Sequence, residues 1–136
     1  MTTNGVVTRE TFKVFELFGK RWKVSKLNAL DGANIIRKFN ANNGVNSQVF
    51  LSSLSNADYL ETQEILLNCV QEVQVVSEAE VLVPVILPGG GVNKVISDNA
   101  DLVYMLTVVS LTFNMSGFFE GNVLKEFQGL VKTFNA

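Results

Sequence analysis

The stretch LVYMLTVVSLTFNMSGFF, residues 102–119, carries no charged side chain over eighteen consecutive positions. A segment of this kind leaves water, either for lipid or for the middle of a protein core. Thr107, Ser110, Thr112, Asn114, Ser116 and Gly117 dilute it, and it falls short of the ~20 predominantly apolar residues that cross a bilayer. Its flanking charges are Asp98, Asp101 and Glu120, whereas membrane helices are anchored by Lys and Arg. The run therefore predicts a buried helix and no membrane partner. It should start at Ser97 to Asn99, where caps sit beside Asp98 and Asp101, and break between Asn114 and Gly117.

At 136 residues the chain reads as a single domain, long enough to hold a core without disulfides or metals. Charged residues make up only 18%, so a partner is expected to cover part of the uncharged surface. The net charge of −2 provides no field that draws the chain onto nucleic acid or an anionic membrane. Histidine is absent, which removes the commonest general base and metal ligand together. Cys69 is the single cysteine; it has no thiol to bridge and no imidazole to activate it, and it reads as a small core residue. A reducing, intracellular setting is expected. The polar N-terminus MTTNGVVTRETF agrees with this, since it lacks the basic segment and apolar run of a secretory leader.

No catalytic, cofactor or metal site stands out. Asp58, Glu61, Glu64, Asp98 and Asp101 lie on polar helix faces or at helix starts, where solvation and the helix dipole account for them. LPGGGVNK, residues 87–94, lacks the phosphate-loop spacing, and Val95 rather than a hydroxyl follows its lysine. The chain is expected to be non-enzymatic.

The fold class expected is α+β: an N-terminal β-hairpin followed by a mainly helical domain of three to four helices. Residues 1–9 read as a mobile arm and 10–27 as the hairpin, with Gly19 at its turn. The first strand changes phase between Val14 and Phe15, which calls for cover on both faces or a bulge. Asn28 is the expected cap of a helix over 29–39, with Ala29, Ala33, Ile36 and Phe39 on one side. Residues 40–46 end it, and the short apolar piece Val49–Phe50–Leu51 follows. Ser55, with Asp58 three residues on, begins a helix expected to reach about Val73. An extended segment covers 74–97; Pro84 and Pro88 confine it to an edge strand or a loop. A last helix is expected over 121–134.

Three aromatic residues are candidate protein contacts. Trp22 sits among Lys20, Arg21 and Lys23, a mixture that suits a protein contact better than base stacking in an acidic chain. Phe118 and Phe119 are adjacent, so on a helix they point about 100° apart and cannot share one narrow stripe. Two readings stay open: the pair fills the core, or at least one of them is exposed as an interface anchor. Phe113, deeper in the uncharged run, reads as core.

Several of these pieces resemble the small tail assembly chaperones of long-tailed bacteriophages. They are the hairpin FELFGKRWKVSKL, the helix ALDGANIIRKF directly after it, the central YLETQEILLNCVQEV, and the C-terminal LTFNMSGFFEGNVLKEF with its hydrophobic–Phe–Asn–x–x–x–Phe–Phe pattern. The segment VPVILPGGGVN has no counterpart in that pattern. The resemblance implies a protein of the infected host's cytoplasm that coats the tape-measure protein and helps bring in tail-tube subunits. It also implies a possible homo-oligomer and a second form extended by frameshifting. With the same contact chemistry, the alternative is a permanent virion component such as a baseplate, connector or tail subunit.

Overall fold

A computed structural model of the chain describes residues 12–41, 47–115, 129 and 131–135. Strands β1 (Phe12–Leu17) and β2 (Lys20–Ser25) form the expected hairpin. Phe18 and Gly19 turn it with φ of 54° and 73°, the two-residue geometry that matches strand twist. The register runs without a bulge from Phe12↔Ser25 to Leu17↔Lys20. Neither remedy expected for the phase change is therefore used. Phe15 and Leu17 point into the core, and Phe12 and Val14 stand half-exposed on the opposite face.

Helix α1 (Ala29–Ala41) starts as expected, with Asn28 Oδ1 accepting from the Asp31 amide at 2.9 Å. Its buried side is centred on Ile35 and Phe39, while Ala29 and Ala33 are exposed, so the expected stripe is rotated. The larger side chains bury more apolar area and decide which face turns inward. The apolar piece 49–51 belongs to helix α2 (Ser47–Ser53), whose Phe50 packs on Phe39 with ring centroids 5.2 Å apart. Helix α3 (Asn56–Leu67) is capped by Ser55, whose Oγ accepts from the Asp58 amide at 3.2 Å.

The end of α3 differs from the expectation. The helix stops at Leu67, and Val70 to Val73, expected in it, belong to strand β3 (Val70–Val76). Val70, Val73, Val75 and Val76 are β-branched, and β2 offers a free edge that accepts them antiparallel, Arg21↔Val73 to Val24↔Val70. Strand β4 (Ala79–Pro84) then closes an antiparallel sheet of order β1-β2-β3-β4. It is an edge strand that ends on Pro84, as the prolines require.

The β3–β4 turn places Ser77 and Glu78 at φ of 51° and 68°, where Asn and Gly are the favoured residues. Each holds a left-handed backbone against its side chain. The double substitution Ser77→Asn, Glu78→Gly is expected to raise stability by about 1 kcal/mol. It should appear as a higher urea midpoint at unchanged slope.

After the short helix α4 (Lys94–Ser97), helix α5 (Ala100–Met115) holds most of the uncharged run. Asn99 caps it, its Oδ1 accepting from the Leu102 amide at 3.1 Å. Leu102, Leu106, Val109 and Phe113 face the inner side of the sheet, against Phe15, Leu17, Trp22, Val24 and Val70. Val108, Leu111 and Met115 face the other way, against Ile35, Phe39, Phe50, Leu51 and Leu66 of α1, α2 and α3. The helix is thus clamped between the sheet and the other helices, which is why it tolerates no charge. Its hydroxyls are satisfied within the core: Thr107 donates to Val103 O of its own helix at 2.8 Å and Ser110 to Leu66 O of α3 at 2.7 Å. Thr112 gives its one hydrogen to Val108 O, so Ser47 donates in the 2.5 Å contact between the two hydroxyls. Among the described residues no helix is long and apolar enough to cross a membrane.

Helix α5 continues through Asn114 and Met115, where the break was expected to begin; the rest of that expected break, the expected arm at 1–9, residues 42–46, Phe118 and Phe119 lie outside the described residues. Of the last expected helix, 129 and 131–134 are described, and they are helical.

Candidate protein-interaction surface

Alternation along four paired strands sorts the sheet into two faces. Phe15, Leu17, Trp22, Val24, Val70 and Glu72 point towards α5. Phe12, Val14, Glu16, Arg21, Lys23, Gln71, Val73, Val75, Glu80 and Leu82 point away. An antiparallel sheet with one face on the core normally shows polar residues on the other. Here Phe12, Val14, Val75 and Leu82 are 50%, 40%, 65% and 41% exposed on the outward face. The turn residue Phe18 is 46% exposed beside them in chain order.

Charges are threaded between these apolar groups and held in place. Arg21 binds Glu80 at 2.9 Å across β3, over the row that holds Val73, which is itself buried. Both partners of this ion pair are about half exposed, so it orders the surface more than it stabilises the fold. Lys23 Nζ lies 4.6 Å from the Phe12 ring centroid, a cation–π contact that also fixes the aromatic side chain. The result is a patch of fixed apolar groups with cations and anions interspersed. Such a patch accommodates a protein segment with an apolar stripe and mixed charges alongside it.

The residues expected as contacts fall elsewhere. Trp22 is wholly buried on the inner face, its Nε1 donating to Leu17 O at 3.1 Å. A surface contact role for Trp22 is corrected to a core role: alternation with Val24 places it inside, despite its charged neighbours. Phe118 and Phe119 are outside the described residues. Phe113 is core, as expected. The residues missed were Phe12, Val14, Val75 and Leu82. Their signal was the apolar occupancy of both phases in strands that have only one covered face.

The remaining chemistry is sparse. Cys69 is half-buried at the edge of a cleft shared with Lys26, Asn28 and Asp31. Burial, and then the nearby Asp31 carboxylate, push its thiol up to about 12, so it carries almost no thiolate at neutral pH. Glu72 faces inward with its Oε1 buried and without a hydrogen-bond partner among the described residues. A mainly apolar cavity of about 500 Å³ lies between α3 and α5, lined by Tyr59, Gln63, Val103 and Tyr104 among others. Burial is the main cause that raises the Tyr59 pKa, and the phenol oxygen accepts from Gln63 at 3.2 Å. Among the described residues no three His, Cys, Asp or Glu side chains are grouped to hold a metal ion.

Fold and surface together define an α+β protein: a four-stranded antiparallel sheet, helices on one face and an exposed apolar patch on the other. Compared with protein-family models, curated proteins and solved structures, the chain matches none significantly.

Proposed function

We propose that the chain is a non-enzymatic tail assembly chaperone or adaptor of a long-tailed bacteriophage, acting in the infected cell's cytoplasm. Its partners on this reading are the tape-measure protein and tail-tube subunits. The observation that carries the reading is the outward sheet face, with Phe12, Val14, Val75 and Leu82 exposed around the Arg21–Glu80 pair. A long amphipathic helix has the matching chemistry, since its apolar stripe covers those four side chains and its flanking charges meet Arg21, Lys23, Glu16 and Glu80. The face is shallow and half wet, so binding is reversible, as a factor that must leave the finished tail requires. The family resemblance of the hairpin and of the Phe113–Asn114 segment supplies the partner's identity.

The test is co-expression with the tape-measure protein of the same genome, followed by mass spectrometry of purified particles. A soluble complex that elutes as one species, with the chain absent from mature particles, is expected. No complex under those conditions overturns the proposal. A complex together with a constant copy number in finished particles assigns the chain to the virion as a permanent subunit instead.

A further inference from the structure

We infer that β4 is a pairing edge for a second copy of this chain, joining two four-stranded sheets into one of eight. It deepens the possible homo-oligomer of the tail-assembly reading by naming a definite seam, and it uses the strand's edge, not the sheet's outer face.

The hydrogen-bond parity of β4 settles which backbone groups are free. Val85 N donates to Val70 O at 3.2 Å, and the two-residue turn closes Val76 against Ala79. In an antiparallel ladder, bonded and non-bonded pairs alternate. Val83 and Val81 therefore bond to β3, while Leu82 and Glu80 direct N–H and C=O away from the sheet. Beyond them the edge is already finished. Pro84 has no N–H, and its carbonyl accepts from Asn93 Nδ2 at 3.1 Å. Among the described residues, the free edge consists of two residues with two donors and two acceptors.

That edge is complementary to itself. With a two-fold axis through Val81, Glu80 of each copy lies opposite Leu82 of the other as a bonded pair. The four donors and four acceptors of the two copies are all used, and none is left over. Val81 meets its own counterpart as a close non-bonded pair, with Cα atoms about 4.5 Å apart. Val81 is 43% exposed and Leu82 41%, so the pairing covers apolar surface on both faces of the sheet. No like charges come directly opposite, and Glu80 is already tied to Arg21 of its own chain. Natural edge strands commonly discourage such pairing with charges, lysine above all, with proline or with an inward charge; in β4, AEVLVP, there is no lysine and no inward-pointing charge, Glu80 is tied to Arg21, and Pro84 lies beyond the two pairing residues. The joined sheet also places two copies of the outer apolar patch side by side.

Sedimentation equilibrium over a wide concentration range tests this directly. The chain is expected to pass from monomer to dimer with concentration. Val81→Lys, which sets two ammonium groups against each other on the axis, should stay monomeric with unchanged far-UV circular dichroism. Val81→Cys should form a disulfide-linked dimer on mild oxidation, because the close pair suits disulfide geometry. Ala79→Cys should not, since its own counterpart lies about 13 Å along the strand. A chain that is monomeric at every concentration overturns the inference. So does a dimer that survives Val81→Lys, equal cross-linking at Ala79→Cys, or β4 amide protection that appears only when tape-measure protein is added.

Discussion

Trp22→Ala is expected to remove about 3–5 kcal/mol of stability, a large share of the ~5–15 kcal/mol that holds a domain together. Trp22 has no exposed surface and lies where the sheet meets α5, in contact with the cluster of Phe15, Leu17, Leu106 and Phe113. Truncation leaves a cavity that two paired strands and a clamped helix cannot collapse around. It also removes the indole donor to Leu17 O. Urea denaturation followed by circular dichroism measures the loss. Trp22→Phe should cost less, since most of the ring volume stays and only the indole hydrogen bond goes. A loss below about 1 kcal/mol for Trp22→Ala would contradict the core position. This variant weakens the fold itself, whereas a true surface contact would change binding alone.

Asn114→Ala is the second large effect, expected at about 2–3 kcal/mol. Asn114 joins the last turn of α5 to the exit of the hairpin. Its Oδ1 accepts from Leu27 N at 2.7 Å, and its Nδ2 donates to Ser110 O at 2.9 Å and to Ser25 O at 3.4 Å. Lys26 completes the junction, with Nζ 2.5 Å from Phe113 O and 4.4 Å from the Phe113 ring centroid. Alanine strips the partner from a partly buried Leu27 amide, which then bears its desolvation unpaired. Hydrogen exchange should show the loss locally, with Leu27 and the first turn of α1 exchanging faster than the centre of α5. Equal protection in both places would mean that the side chain does not hold the junction. Phe113 and Asn114 in the sequence LTFNMSGFF are thus a structural clamp in this protein. Their aromatic and amide groups are consumed within the chain.

Local signals made much of this fold legible. Gly19 marked the hairpin turn, Asn28 and Ser55 marked two helix starts, and the prolines confined the segment that holds β4 to an edge strand or a loop. The uncharged run marked α5 as buried on all sides. The end of α3 was not legible, because Leu66, Cys69, Val70 and Val73 keep helical spacing while their β-branched members also suit a strand. Only the free edge of β2, about fifty residues earlier in the chain, decides between the two. The β3–β4 turn was hidden for another reason: Ser77 and Glu78 adopt positive φ without the glycine or asparagine that would announce it. The interaction surface depends on both misses. Val75 and Leu82 join Phe12 and Val14 on one face only once β3 and β4 exist. Trp22 misled in the other direction, since its charged neighbours Arg21 and Lys23 point outwards while it points in.

The central claim is that the outward face of the sheet binds protein, and titration calorimetry with purified tape-measure protein tests it most directly. The variant Val14→Ser, Val75→Lys alters two side chains that are already 40% and 65% exposed, so it should unfold in urea within about 0.5 kcal/mol of the parent. Measurable binding by the parent chain and a loss of at least tenfold in the variant are expected. Unchanged affinity in a folded variant would show that the partner seats elsewhere.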